Sequence, residues 1–331
     1  MKTRRLGRTG LKVSELCLGT MTFAAQADEA EAFRIMDAAS AAGIDFIDTA
    51  DCYPVPIDLA TVGRTEEIIG KWLRGKRDRF VLATKCRIRT GPGANDEGLS
   101  RRHVMRSCEQ SLQRLGTDHF DLYQAHSPDP DTPLEETLRA FEDLVRQGKV
   151  RYVGCSNYPA WQLALATGLG GRDGLARFDC LQPRYNLLHR DIEAEHLPLC
   201  VAQGIGVIAY NPLAGGLLTG KYATPETIPL GTRFSLGKAG ELYRERYWHK
   251  AQFEAVDSLR KHFAAKEMSL ATAAVAWVLA QPGITSAILG ASRAEQLKDT
   301  LAATEVVLDE RDLEVCGLAW LSLPRLAKPT R

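Results

Sequence analysis

Short apolar runs in this chain end, one after another, in side chains that can do chemistry. Asp48 closes the run beginning at Ile44, Lys85 closes FVLATK, His126 closes FDLYQAH, Ser156 and Asn157 close VRYVGCSN, Gln182 closes FDCLQ and Tyr210 closes GVIAY. Two further runs end in Gly19-Thr20 and in Gly290. Carboxylate and imidazole are groups of general acid–base work, and an amine in such a place is also the group that forms imines. Taken singly, each has a plain structural reading: a turn residue for Asp48, a solvated side chain for Lys85, a satisfied core histidine for His126. Only convergence would make them a catalytic centre, and convergence depends on the elements that carry them.

Those elements alternate. Eight apolar runs (ELCLGT, IDFIDT, FVLATK, FDLYQAH, VRYVGCSN, FDCLQ, GVIAY and SAILG) have strand character, and between them lie stretches with helical periodicity, such as 28–42, 100–115 and 134–147. Thr132 is the expected cap of the last of these and Pro133 its first helical residue. Gly43, Gly116, Gly148 and Gly204 stand where helices end on a positive φ. Consecutive parallel strands need a crossover helix, so the alternation predicts a parallel sheet, and eight repeats can close it into a (β/α)8 TIM barrel. The polar residues at nearly every strand end would then meet at the C-terminal mouth, where barrel active sites form.

An open doubly wound sheet is the competing architecture, and it would carry GxGxxG between its first strand and helix. The nearest match here, at 204–209, precedes a strand instead, so Gly204 reads as a helix stop. Leu6, the turn at 7–10 and Leu11 with Val13 read as an N-terminal β-hairpin that caps the barrel floor. After the seventh strand, 212–250 reads as a long loop, a length that usually means a lid or clamp. No linker divides the chain, so residues 1–331 are expected to form one domain.

Composition narrows the function classes. With 45% hydrophobic and 25% charged residues in a 331-residue chain, a sizeable core can be buried. Lys+Arg of 42 against Asp+Glu of 41 leaves a formal charge of +1, so neither nucleic acid nor an anionic membrane is an expected partner. The basic N-terminus has no apolar segment behind it and no run reaches membrane-spanning length, which points to a cytoplasmic protein. Eight cysteines are scattered without a CxxC pair or zinc spacing; they read as reduced, buried small hydrophobes, with no metal site and a thiol nucleophile as the minor alternative.

From RRLGRTGLKVSELCLGT to AILGASRAEQL the sequence resembles the aldo-keto reductase family. GIDFIDTADCY, ATK, DLYQAHSPD, VRYVGCSN, LQPRYN and AYNPLAGGLLTGKY carry the likeness, and the YPVP after Tyr53 is similar to the branch of Tas-type reductases related to potassium-channel β subunits. The resemblance implies a catalytic tetrad of Asp48, Tyr53, Lys85 and His126. Its physical logic is that hydride addition to a carbonyl creates an alkoxide needing an acid within hydrogen-bond reach. A phenol with a pKa of about 10 is helped when a neighbouring ammonium stabilises the phenolate. Lys85 would supply that charge, Asp48 would pair with it, and His126 would polarise the substrate carbonyl.

The resemblance further implies a nicotinamide nucleotide lying across the mouth, because no side chain donates a hydride. Tyr210 would stack on the nicotinamide, with Ser156, Asn157 and Gln182 on its carboxamide and Gly19, Thr20 and Met21 at the neighbouring strand end. Asn211, Pro212, Leu213, Gly215, Leu217, Lys221 and Arg233 would strap the pyrophosphate. Gly290, Ser292, Arg293 and Gln296 would hold a 2′-phosphate, making the cofactor NADPH, with Asp299 and Thr300 near the adenine. Asn211 stands where the family commonly has serine and Thr300 where it commonly has asparagine. Phe23, Pro54, Tyr158, Trp161 and Arg184 are the expected substrate rim, suited to apolar or sugar-like carbonyl compounds, while the oligomeric state is left open. Two alternatives stand beside this reading: a redox-sensing accessory subunit with slow turnover, and a Schiff-base aldolase using Lys85.

Overall fold

The computed structural model describes residues 1–324, so positions 325–331 of the expected domain lie outside the described residues. Two short strands, β1 (Thr3–Arg5) and β2 (Lys12–Ser14), pair antiparallel as the expected hairpin. Eight parallel strands follow: β3 (Leu16–Gly19), β4 (Phe46–Asp48), β5 (Val81–Cys86), β6 (Phe120–Ala125), β7 (Val150–Ser156), β8 (Cys180–Gln182), β9 (Gly206–Ala209) and β10 (Ile284–Gly290). They pair in chain order, and β10 closes on β3, so the sheet is a sealed barrel without an edge.

Crossover helices α1 (Glu29–Ala41), α2 (Arg64–Leu73), α3 (Arg101–Leu115), α4 (Leu134–Arg146), α5 (Ala160–Asp173) and α6 (His196–Gln203) link the first seven strands. The glycine stops hold: Gly43, Gly116, Gly148 and Gly204 all have positive φ. Thr132 does not cap α4. Its hydroxyl donates to Asp129 Oδ2 at 2.6 Å and Pro133 occupies the capping position, because the Asp129 carboxylate organises that turn.

The 212–250 segment differs from the expected loop. It contains 3-10 turns at Ala214–Thr219 and Arg233–Ser235 and a helix, α7 (Gly237–Tyr247), knitted by Phe234, Tyr222, Tyr243 and Trp248. Aromatic clustering supplies the apolar burial that a bare loop would lack. The chain continues through α8 (Lys250–Ala264) and the uniformly apolar α9 (Leu270–Ala280), which is buried nearly throughout, and ends with α10 (Leu297–Ala302) and α11 (Glu310–Leu321). No helix among the described residues is long and apolar enough to cross a membrane.

Inside the barrel the strands alternate by two, as the pleat requires. Cys17, Phe46, Ala83, Leu122, Cys180, Ile208 and Ile288 form an apolar layer, sealed below by Leu6 and Val13 of the hairpin. Arg8 N donates to Gly204 O at 2.7 Å and fixes this plug to the floor. Two residues further along the same strands come Gly19, Asp48, Lys85, Gln124, Gln182, Tyr210 and Gly290. Period two therefore lays a polar tier directly on an apolar one.

Candidate active site

Lys85 is fully buried, yet its ammonium is not left bare: Nζ donates to Asp48 Oδ2 at 2.5 Å and to Thr49 O at 2.7 Å. Asp48, itself 3% exposed, receives two more bonds on Oδ1, from Gln182 Nε2 at 2.8 Å and Gln124 Nε2 at 3.1 Å. A buried ion pair is tolerated only when its remaining donors and acceptors are met, and here β4, β5, β6 and β8 each contribute one member. Attention to strand termini passes over Gln124, because it selects His126 two positions later. Period-two counting from Leu122 would find it.

Tyr53 lies over this pair. The Lys85 ammonium stands 5.3 Å from its ring centroid, and the His126 ring meets it edge-on at 5.9 Å. The expectation that Lys85 lowers the phenol's pKa differs from what the site does: burial first, and the Asp48 carboxylate second, push the Tyr53 hydroxyl well above the usual value. Burial and the carboxylate outweigh the ammonium that stands 5.3 Å from the ring. Tyr53 is therefore a phenol that holds its proton firmly. His126 is driven the other way, well below 6.5, by burial and then by Lys85 and Arg87, so it is a neutral imidazole. Its Nδ1 lies 3.8 Å from Cys52 Sγ, a neighbour that no sequence signal marks.

Around this centre the strand ends interlock. Ser156 Oγ donates to Gln182 O at 2.7 Å, Asn157 Nδ2 to Ser156 Oγ at 2.9 Å and to His126 O at 3.1 Å, and Tyr210 Oη to Asn157 Oδ1 at 2.9 Å. Gln182 is thus half committed to Asp48, and no hydrogen bond is made to its Oε1 among the described residues. Thr20 Oγ1 is spent on Asp48 O at 3.0 Å, Met21 O accepts from Val55 N at 3.1 Å, and Gly19 packs against Ile288, whose Cγ2 lies 2.6 Å from where a Cβ would stand. These contacts shape the strand end.

Along the strap, Asn211 has φ 63 and its amide is consumed, Oδ1 by Gly215 N at 2.6 Å and Nδ2 by Tyr247 Oη at 2.9 Å. It builds the turn that Pro212 and Leu213 continue; Leu217 is fully buried in the core. Tyr243 packs on Gly215, its Cδ1 only 2.6 Å from the point a Cβ would occupy. Three cations here lack carboxylate partners among the described residues. Arg233 has a buried Nη1 without a hydrogen bond, and burial together with the Arg293 guanidinium pulls the Lys221 ammonium below the usual lysine range. Cations that repel one another and leave a donor unused fit phosphate groups. Ser292 N and Oγ both donate to Gln296 Oε1, at 2.9 and 3.3 Å, and Gly290 opens onto free space. Asp299 is exposed, but Thr300 is a correction: it is 4% exposed and its hydroxyl donates to Leu297 O at 3.0 Å, because it shares the inward face of α10 with Leu297.

The substrate rim also needs correcting. Phe23 is wholly buried in the main core, and Tyr158, 2% exposed, packs edge-on against Phe178 at 5.2 Å; both are barrel-to-helix packing residues. Pro54 is buried beside Tyr53, Trp161 stands 67% exposed at the start of α5, and Arg184 is shared between His189 Nδ1 at 3.2 Å and the Tyr247 ring. All eight cysteines are free and buried, and burial raises Cys52, Cys86 and Cys155 far from thiolate character, which removes the thiol-nucleophile alternative.

Residues 15–317 match the model of the Aldo/keto reductase family. An uncharacterized oxidoreductase, YrpG, of Bacillus subtilis is 43% identical over 95% of this chain and 94% of its own length. A probable voltage-gated potassium channel subunit beta of Arabidopsis thaliana is 37% identical over 93% and 92%, and protein tas of Escherichia coli is 34% identical over 94% and 95%.

Proposed function

The chain belongs to the aldo/keto reductase family, an oxidoreductase family, and on that premise we propose that it reduces an aldehyde or ketone to the alcohol with NADPH, Tyr53 supplying the proton. The observation that carries this reading is the fully hydrogen-bonded Lys85–Asp48 pair beneath Tyr53 and His126. The nicotinamide, when bound, supplies the hydride.

Tyr53 remains protonated in the resting site and gives that proton to the oxygen as negative charge develops on it. The phenolate left behind sits above the Lys85 ammonium, whose direction Asp48 and Thr49 O fix. His126, neutral, donates a hydrogen bond to the carbonyl without adding a charge that would compete with Lys85. Asn157 holds the His126 backbone and the Tyr210 hydroxyl, orienting the ring proposed to stack on the nicotinamide. Lys221, Arg233 and Arg293 are the proposed phosphate ligands, supported by their lack of carboxylate partners among the described residues. An imine-forming Lys85 is disfavoured, since an ammonium bonded to a carboxylate and a carbonyl is no free amine.

We take the whole chain as one barrel domain acting on a small carbonyl compound in the cytoplasm, a compartment supported by eight free cysteines. A panel of aromatic aldehydes and ketones assayed with NADPH and NADH side by side tests the reading; oxidation of neither cofactor by any member would refute it. The likeness to a potassium channel subunit beta keeps the sensor reading alive. Tight NADPH binding without turnover is its distinguishing result.

A further inference from the structure

The two ring nitrogens of His126 have different surroundings. Nδ1 lies 3.8 Å from Sγ of the fully buried Cys52, and that sulfur forms no other hydrogen bond among the described residues. Nε2 forms none among them, yet it is not one of the buried atoms left without a partner, so it is the ring nitrogen open to an incoming group. The backbone beneath the ring is tied on both sides: His126 N donates to Cys86 O at 2.9 Å, and its carbonyl accepts from Asn157 Nδ2 at 3.1 Å. The turn that carries Cys52 is held as well, since Tyr53 N donates to Ala50 O at 3.2 Å and Tyr53 O accepts from Gly63 N at 3.1 Å.

A neutral imidazole carries one proton, and the hydrogen bond made at one nitrogen decides which of the two holds it. His126 is neutral, while burial, followed by the Asp51 carboxyl, pushes the Cys52 thiol well above its usual value, so the sulfur keeps its hydrogen. Two bonds could join them. S–H to Nδ1 uses a good acceptor, the bare imidazole nitrogen, whereas Nδ1–H to sulfur uses a weak one and strands the thiol proton in a dry interior. We propose that Cys52 is a positioning residue: its thiol donates to Nδ1 and so keeps the His126 proton on Nε2, the tautomer able to donate to a carbonyl oxygen. The opposite tautomer would turn a lone pair toward that oxygen and repel it. One turn then sets both polar partners of the carbonyl, Tyr53 by its own hydroxyl and His126 through the residue before Tyr53. This inference rests on the reductase reading for its kinetic arm only.

Nitrogen-15 NMR of the histidine-labelled chain reads the tautomer directly, the His126 signals being identified by their loss in His126→Gln. The native chain is expected to carry the proton on Nε2. Cys52→Ala, which differs little in volume from Cys52→Ser but has no donor, is expected to show both tautomers with NADPH affinity unchanged. Its kcat is expected to fall by about tenfold, short of the roughly 10²-fold or more that losing a carbonyl donor outright costs. Cys52→Ser restores a donor and is expected to recover the Nε2–H tautomer and part of kcat. A native proton on Nδ1, an unchanged tautomer in Cys52→Ala, or equal losses in Cys52→Ala and Cys52→Ser overturns the proposal. A tautomer set by Cys52 in a chain that reduces no carbonyl compound overturns the reductase reading and leaves the positioning role standing.

Discussion

The proton on Tyr53 is held more tightly in the resting site than on a free phenol, which makes the residue a reservoir rather than a ready acid. In the proposed reduction it would be drawn on only when an alkoxide forms beside it, so acid strength would be needed at the transition state and not before. Tyr53→Phe deletes that proton and nothing that touches the proposed cofactor. Steady-state assays should show kcat lowered by roughly 10²–10⁴-fold with NADPH affinity within a few-fold, and retention of a tenth of the activity would exclude Tyr53 as the donor. Asp51 behaves differently. Neither of its oxygens has a hydrogen-bond partner, and burial followed by the Glu66 carboxylate raises it well above 3.8, although the Cys52 N–H lies near enough to favour the anion. Above the unfolded value the native state binds more protons than the unfolded chain, so this contribution to stability is whole at low pH and is lost as pH rises through the raised value. Asp51→Asn has no charge to bury. Calorimetric melting should show the variant gaining on the native chain from pH 5 to pH 8, by several degrees at the upper end; parallel curves would mean that Asp51 is ionised in the fold.

At the scale of elements, the hairpin shows how a distant turn supports the site. Gly7 has φ 56 and sits against Gly204 O and Gly206 N, the latter 2.5 Å from where a Cβ would stand, at the entry to β9. Both obstacles are backbone and cannot swing away. Gly7→Ala should destabilise the chain by about 2–3 kcal/mol in urea unfolding, whereas Gly10→Ala, with open space around it, should cost little. Equal midpoints for the two would show that the plug is not fixed by this contact. The strands themselves are legible in the sequence because each is an apolar run, a pattern that buried parallel strands impose, and most of them close on a polar inward residue. Gln124 escapes for the same reason in reverse: a polar residue inside a run looks like an interruption until the period-two tier is laid out. Phe23 and Tyr158 read as rim residues because nothing in sequence says whether an aromatic after a strand turns toward the mouth or toward the helix layer. The ordered 212–250 segment is hidden because its order comes from aromatic contacts remote in sequence from the barrel strands, and these leave no periodic trace.

For the molecule as a whole, a formal charge of +1 means that attraction for a polyanionic cofactor cannot come from a global field. For the proposed cofactor it would have to come from a local excess of cations, for which Lys221, Arg233 and Arg293 are the candidates, while Asp and Glu elsewhere are bound up in pairs such as Asp48–Lys85, Glu66–Arg114 and Asp121–Arg77. Lys221 and Arg293 repel each other, so a 2′-phosphate between such groups would relieve repulsion as well as add attraction. Ligand that binds the native state raises stability by RT ln(1 + [L]/Kd), about 2.7 kcal/mol at a hundredfold excess over Kd. NADPH should therefore raise the melting temperature more than NADH at equal concentration. Because Lys221 and Arg293 are exposed residues, the difference should shrink as salt shortens the Debye length from about 10 Å at 0.1 M to about 3 Å at 1 M. Thermal shifts with both dinucleotides across that range are the measurement: a salt-independent difference would locate the discrimination in a buried contact, and the absence of any difference would remove these cations from the choice of cofactor.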